Sequence, residues 1–188
     1  MTHRLAFALA TALLAVSLHA GDAPKGWFPA GSSPDSYDMG VQPGDRHAGD
    51  RNAYIRAQAQ HRGFGTLMQT IGADAYRGKR LRLSGYLRTR DAKSAAMWMR
   101  IDGNFQQTLG FDNMSSRTLS GDTEWKRYDI VLDVPEGAQA IAFGFLLEGK
   151  GEVLADDFHM EPVGKDVPVT GTDRPALPAM PSNLDFAQ

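Results

Sequence analysis

An alternating segment near the middle of the chain carries the side chains best suited to contacting a ligand. In the run Met97–Ile101 the methionine and isoleucine side chains share one face of the expected strand, while Trp98 and Arg100 share the other. If the first face packs into the core, the indole lies on the outer surface. There a flat aromatic ring offers an apolar platform to the C–H face of a sugar, and the guanidinium can bond its hydroxyls. The alternative is that the loop at residues 26–44 covers the indole.

Weaker candidates extend this predicted binding surface. Polar groups in turns, such as Asn113 beside Asp112, either bind ligand hydroxyls or satisfy the turn backbone. The predicted ligand-contacting residues are Trp98, Arg100, Gln69, Tyr86, Arg88 and Asn113. Together they predict recognition on a preformed surface by stacking and hydrogen bonding. Trp125 and Trp27 are instead predicted to pack, the first in the core and the second as an anchor for the N-terminal loop.

Basic residues outnumber acidic ones between residues 77 and 100. If Arg80, Arg82 and Arg88 share a face with Ser84 and Tyr86, they form a positive stripe on which an anionic polysaccharide can bind. The alternative is a solvated sheet face whose charges oppose edge-to-edge aggregation.

Motifs of hydrolases are missing from the sequence. It contains neither a Gly-x-Ser-x-Gly elbow nor a His-Glu-x-x-His helix motif. Asp156 and Asp157 are neighbours on an expected strand, so their side chains point to opposite faces and cannot form a glycosidase pair with each other. We therefore expect a protein that is not an enzyme.

The elements that must position these residues are short strands. Arg80–Arg88 and Tyr128–Val134 alternate polar and apolar residues, and Ile141–Leu147 is apolar on both faces. This pattern predicts an antiparallel β-sandwich of the jelly-roll type. Further strands are expected at 52–58, 66–71, 96–101, 108–111, 117–119 and 152–161.

Composition and the positions of turn-forming residues divide the chain of 188 residues into three parts. Residues 1–20 predict a signal peptide, with Arg4 before an apolar run that is too short for a confident membrane span. Residues 21–162 are the predicted β-sandwich domain, and 163–188 a proline-rich tail. The expected location is therefore periplasmic or secreted, with no membrane span after cleavage. The chain has no cysteine, and its net charge of −2 argues against a nucleic-acid partner.

Four short pieces of sequence resemble a known group of domains. They are Gly26-Trp27, the run from Tyr76 to Gly85, the run from Trp125 to Tyr128 with Val134–Ala138 after its strand, and Ala155–Phe158. Together, over residues 26 to 162, they resemble carbohydrate-binding modules and galactose-binding-like jelly rolls. The nearest variant occurs in bacterial exported proteins and beside regulatory domains.

This resemblance implies a binding module whose ligand is a carbohydrate or a glycan-like molecule. It also implies a structural Ca²⁺ held at Asp156 and Asp157, with a simple ion pair as the alternative. The opening Asn-Leu/Gly-x-Phe-Glu segment of such modules is missing, and a similar segment stands at Asn183–Phe186. Two further functions stay open: a protein-interaction subunit of a cell-envelope complex, and, with less support, a hydrolase.

Overall fold

The structure is a computed structural model that describes residues 23–46, 50–171, 180, 183 and 184. Over most of these residues, alternating apolar side chains form strands. The predicted signal peptide at 1–20 and most of the predicted tail lie outside the described residues. The described residues form nine strands: β1 (Phe28–Gly31), β2 (Tyr37–Pro43), β3 (Arg51–Ala57), β4 (Phe64–Gly72), β5 (Arg80–Asp102), β6 (Thr108–Asp112), β7 (Leu119–Asp133), β8 (Ala140–Glu148) and β9 (Glu152–Val163).

Hydrogen bonding joins all nine strands into one antiparallel sheet that folds into two layers. The order is β1-β4-β8-β5-β9-β3-β2, and β6 and β7 also pair with β5. The first part of β5 pairs with β7 and β9, and its second part pairs with β8 and β6. One layer, the groove layer, therefore contains β1, β4, β8, β6 and the end of β5. The other, the opposite layer, contains β2, β3, β9, β7 and the start of β5. This is the antiparallel β-sandwich expected from the sequence.

The core lies between the two layers. Met97, Met99 and Ile101 are fully buried there, as the alternating pattern predicted. Aromatic rings join the layers near the N-terminal segment, where the Trp27 ring lies 5.8 Å from Phe143 and 5.5 Å from Phe158, edge to face in both cases.

Strand β5 is longer than the sequence predicted. The expected strands at 80–88 and 96–101 are two parts of one strand of 23 residues. They are joined where the pairing with β7 shifts register between Thr89 and Ala92, and Asp91 has a φ of +47° at this point. The irregularity lets the strand leave one layer and enter the other without ending.

The two ends of the domain also differ from the prediction. The segment predicted as a loop at 26–44 contains the edge strands β1 and β2. Strand β9 ends at Val163, one residue past the predicted domain boundary. Thr170 then pairs with β7, its backbone N–H donating to the Val131 carbonyl at 2.9 Å and its hydroxyl accepting from the Val131 N–H at 2.8 Å. The domain therefore continues to about Gly171.

Helical structure is minor in the described residues. It consists of two 3₁₀ turns, Pro34–Ser36 and Asn104–Gln106. Within the described ranges, no helix is long and apolar enough to cross a membrane.

Candidate functional site

A groove with a volume of about 770 Å³ lies on the outer face of the groove layer. Trp98 and Arg100 of β5 line it, together with Asn113, which follows β6. Met99 pairs with Asp112, so the antiparallel register places Asn113 beside Trp98. Three of the six predicted ligand-contacting residues are therefore brought together.

Trp98 faces outwards as predicted, but it is not an exposed platform. Only 7% of the residue is accessible, and its indole N–H donates to the Thr66 hydroxyl at 2.8 Å. Thr66 lies two strands away on β4, so the ring crosses β8, where Gly144 is the partner of Trp98 in the ladder. The indole therefore lies along the sheet and forms the floor of the groove.

The prediction that Gln69 shares this surface is wrong. Gln69 pairs with Phe143, as does Met99, and therefore lies on the inward side of the groove layer. It lines a cleft of about 400 Å³ between the two layers instead. The strand alternation around Gln69 is as predicted, but the pairing partner that decides its face is far away in sequence.

Tyr86 and Arg88 also lie away from the groove, on the outer face of the opposite layer. They precede the crossing at Asp91, whereas Trp98 and Arg100 follow it. The sequence does not reveal this, because the layer of each part of β5 is decided by pairing with β9 or with β8, which are far away in the sequence.

The predicted positive stripe exists as a shared face, but acidic partners neutralise it. Arg80 pairs with Asp133 at 2.9 Å, and Arg82 pairs with Glu161. Arg88 pairs with Asp45, which also accepts the Trp125 indole N–H at 2.8 Å. Hydrogen bonds from Arg80 and Lys165 hold the pKa of Asp133 far below its usual range. The solvated-face alternative describes this surface.

Trp125 is not a core residue, contrary to the prediction. It lies half-buried on the outer face of the opposite layer, where the Arg46 guanidinium is 5.8 Å from its ring and 3.6 Å from the ring of Tyr86. Asp45 holds its indole N–H, so the ring anchors the loop after β2 rather than filling the interior.

Uncharged polar side chains supply hydrogen-bonding capacity along the groove. Four of its lining residues have such side chains and no hydrogen-bond partner within the described part of the chain: Ser94, Asn113, Ser115 and Thr118. The charged groups at its ends are already paired, Arg100 with Asp102 at 2.7 Å and Glu148 with Lys93 at 2.9 Å. The groove is therefore nearly neutral, with donors and acceptors available to a ligand.

The exposed aromatic ring in the groove is Phe111, which the sequence reasoning did not select. It lies opposite Arg100 and is 42% accessible. Its signal was its position on a short edge strand, where an apolar side chain that alternates with a buried Asp112 must face outwards.

Asp112 holds the backbone beside the groove in place. Burial raises the pKa of this carboxyl, but hydrogen bonds from Arg117, from Thr170 and from the Met114 N–H outweigh burial, so the pKa lies below its usual value. The Arg117 guanidinium lies 2.7 Å from one carboxylate oxygen, and the Met114 N–H donates to the other at 2.8 Å. Asn113 is fixed between these anchored residues.

Oxygen atoms of several side chains lie near Asp156, where the resemblance implied a structural Ca²⁺. Asp156 pairs with Arg46 at 2.8 Å, and burial, with the charge of Asp50 nearby, raises the pKa of Asp156. Within the part of the chain that the structure describes, Asp50 Oδ2 and Asn52 Oδ1 are buried without a hydrogen-bond partner. The described residues contain no group of three or more His, Cys, Asp or Glu side chains that could hold a metal. The oxygen donors that a Ca²⁺ would use here are two carboxylates and one amide.

Asp157 does not join this set. It is exposed, has a φ of +52°, and stands at a bulge where the β5–β9 pairing shifts between Ser84 and Tyr86. Its backbone N–H donates to Asp156 Oδ1 at 2.7 Å, so its role is to orient the neighbouring carboxylate.

Solved structures share this fold at low sequence identity. The CBM22-1 xylan-binding domain from Paenibacillus barcinonensis Xyn10C has a TM-score of 0.55 at 12% identity, over 77% of this chain and 90% of that domain. A CBM4 structure has a TM-score of 0.52 at 16% identity, over 77% and 92%. The enzymatically active domain of tailspike protein 4 from bacteriophage CBA120 has a TM-score of 0.58 at 14% identity, over 74% and 20%. The chain thus has the jelly-roll fold of carbohydrate-binding modules, as the resemblance implied.

One curated relative shows much higher identity. It is an Uncharacterized HTH-type transcriptional regulator, YbfP, from Bacillus subtilis (strain 168), 42% identical over 168 residues. The match covers 87% of this chain and 57% of the regulator, so the chain spans little more than half the length of that protein. No family model matches the chain.

Proposed function

We propose that this chain is a non-catalytic binding module that recognises a carbohydrate in the groove formed around Trp98. The observation that carries the proposal is the convergence of unpartnered, uncharged polar side chains with the exposed Phe111 ring over an apolar floor. Hydroxyl and amide groups bond sugar hydroxyls, and an aromatic ring packs on the C–H face of a sugar ring.

Two findings support a neutral glycan as the ligand. The charged groups that line the groove are paired with Asp102 and Lys93, so its described lining offers no unpaired cation to an acidic polymer. Among the solved structures that share the fold, two are named as xylan-binding domains. We propose that the protein acts in the periplasm or outside the cell, on the basis of the predicted signal peptide.

We also propose that Asp50, Asn52 and Asp156 bind a structural Ca²⁺. The two orphaned oxygens support this, because a buried acceptor without a partner is costly. Arg46 now pairs with Asp156, so the cation would compete with this guanidinium for the carboxylate.

A pair of phenylalanine variants tests the groove. Phe111→Ala removes the exposed ring from it, whereas Phe105→Ala removes a ring that is fully exposed at the tip of the β5–β6 hairpin. We expect Phe111→Ala to weaken binding of the best glycan on an array by about tenfold, measured by calorimetry, because an aromatic contact is worth about 1 kcal/mol or more. Phe105→Ala should bind as the wild type does.

Trp98→Ala is a poorer test, because the buried indole contributes to the fold itself. Asn113→Ala is the second variant, with an expected loss of about two- to tenfold from one hydrogen bond. Absence of glycan binding by the folded wild-type protein would contradict the proposal and favour the protein-interaction alternative.

A further inference from the structure

The two walls of the groove differ in chemistry. The wall built by β1, β4 and β8 is mostly apolar: it contains Ala30, Phe64, Met68 and Leu146, with Thr66 beside the indole and Glu148 at the end of the groove. The facing wall, built by β5 and the segment after β6, carries the unpartnered polar side chains Ser94, Asn113, Ser115 and Thr118. Trp98 lies between the walls and spans the floor from β5 towards β4.

Apart from Glu148 at its end, which is paired with Lys93, the described side chains of this wall carry no free hydroxyl, amide or charged group. The Thr66 hydroxyl beside it accepts from Trp98 and donates to the Phe145 carbonyl at 2.8 Å, so it is already engaged. Met68 and Leu146 are half-buried and present only carbon and thioether surface. A sugar chain with hydroxyls on both edges would lose hydrogen bonds to water along this wall, at a cost for each unpaired group.

We propose that the groove selects glycosides that carry an apolar substituent, such as an alkyl chain linked to the sugar. The sugar hydroxyls bond the polar wall, its C–H face packs on Phe111, and the substituent lies on Met68 and Leu146. This inference rests on the proposed function and narrows it to one ligand class. The charge pattern agrees, because the ligand is neutral and Arg100 and Glu148 are each paired with a neighbouring charge, Asp102 and Lys93.

Paired glycosides test the proposal. Methyl and hexyl glycosides of glucose, galactose, mannose and xylose differ only in the length of the substituent. They are titrated into the full chain carrying ¹³C-methyl methionine, with xylohexaose and hexan-1-ol as further probes. Each buried methylene strengthens binding about fourfold, so a hexyl glycoside should bind at least about tenfold more tightly than its methyl partner. The methyl signal of Met68 should shift with the hexyl form, while those of the fully buried Met97 and Met99 stay in place.

Single substitutions test which residues produce the preference for hexyl over methyl glycosides. Met68→Ser should reduce the hexyl-to-methyl affinity ratio severalfold, because it replaces one of the two apolar side chains under the substituent with a hydroxyl. Leu146→Ser is the second variant, in case the first does not fold. Phe105→Ser, at the exposed hairpin tip, should keep the full ratio.

Other results would contradict the inference alone, or the inference together with the proposed function. Equal affinities for methyl and hexyl forms, or tight binding of xylohexaose without a preference for hexyl forms, overturn the inference and leave the proposed function standing. If no glycoside or oligosaccharide binds, both fail. If hexan-1-ol binds as tightly as the hexyl glycosides, the groove recognises the chain alone and both fail as well.

Discussion

Asp112 joins three parts of the molecule through a single carboxylate: β6, the loop that carries Arg117, and the segment at Thr170. Its folded-state pKa lies below the unfolded value, which is about 4. Its contribution to stability is therefore complete above that value and is lost as the pH falls through the folded-state pKa.

Asp112→Asn should lower the free energy of unfolding at pH 7 by about 1–3 kcal/mol, because Arg117 loses its charged partner in a buried setting. The difference from the wild type should shrink at pH 3, as urea unfolding across this range will measure. Asp74→Asn removes an exposed carboxylate that pairs with Arg77, and it should change stability by less than about 0.5 kcal/mol. An equal effect of both substitutions would contradict this account.

The orphaned oxygens give a second residue-scale prediction. At 100 times its Kd, Ca²⁺ should stabilise the protein by about 2.7 kcal/mol, or several degrees in Tm, compared with protein in a chelator. Asn52→Ala should remove that gain, whereas Asn104→Ala, on the exposed hairpin, should retain it. A wild-type Tm that is the same with Ca²⁺ and with chelator would rule out the site.

Single residues also show where prediction from sequence ends. The outward face of Trp98 follows from the alternation of its strand, but its burial depends on Thr66, which accepts its indole N–H and becomes its neighbour only through pairing. The same holds for Trp125, whose partner Asp45 is 80 residues away. Local pattern determines the direction of a side chain, and long-range pairing determines what covers it.

At the scale of elements, β5 depends on an unusual backbone at Asp91. Its φ of +47° is unfavourable for most residues, and a β-branched side chain tolerates it least. Its N–H donates to Asp122 at 2.7 Å, which holds the turn.

Asp91→Val should therefore cost about 1–2 kcal/mol of stability, and Asp91→Gly clearly less, although both lose the same exposed pair with Lys150. Urea unfolding of the two variants measures the difference. Equal losses would show that the conformation at this position is not strained.

Most elements could be predicted because their strands alternate cleanly. Strands β3, β4, β6, β8 and β9 lie within a few residues of the expected positions. The edge strands β1 and β2 could not be found, since turn-forming residues surround them and obscure the alternation that buries Tyr37 and Met39. The unity of β5 was missed because a bulge resembles a turn in sequence.

At the scale of the whole molecule, the domain depends on the segment after β9. Besides the bonds of Thr170, the Arg80 guanidinium donates to the carbonyls of Lys165 and Val167 at 2.8 and 2.6 Å. Val131, on the outer face of β7, is 3% accessible in this arrangement.

A chain that ends after Pro162 should therefore be less stable than one that ends after Gly171, by at least about 2 kcal/mol for the lost hydrogen bonds. Thermal unfolding of the two proteins measures this. The same Tm for both would mean that residues 163–171 only rest on the domain.

Because β5 passes through both layers, the domain is sensitive to an insertion in the middle of this strand. One extra codon at Asp91 would leave Arg80–Arg90 in register with β9 but would turn every later residue of the strand to its other side. Met97 and Met99 would then face water, and Trp98 and Arg100 would enter the core. An insertion at this position should thus disrupt the core, whereas changes in the loops around the groove leave the register of β5 intact. Substitutions in those loops can therefore alter what the groove accepts without disturbing the strand that builds it.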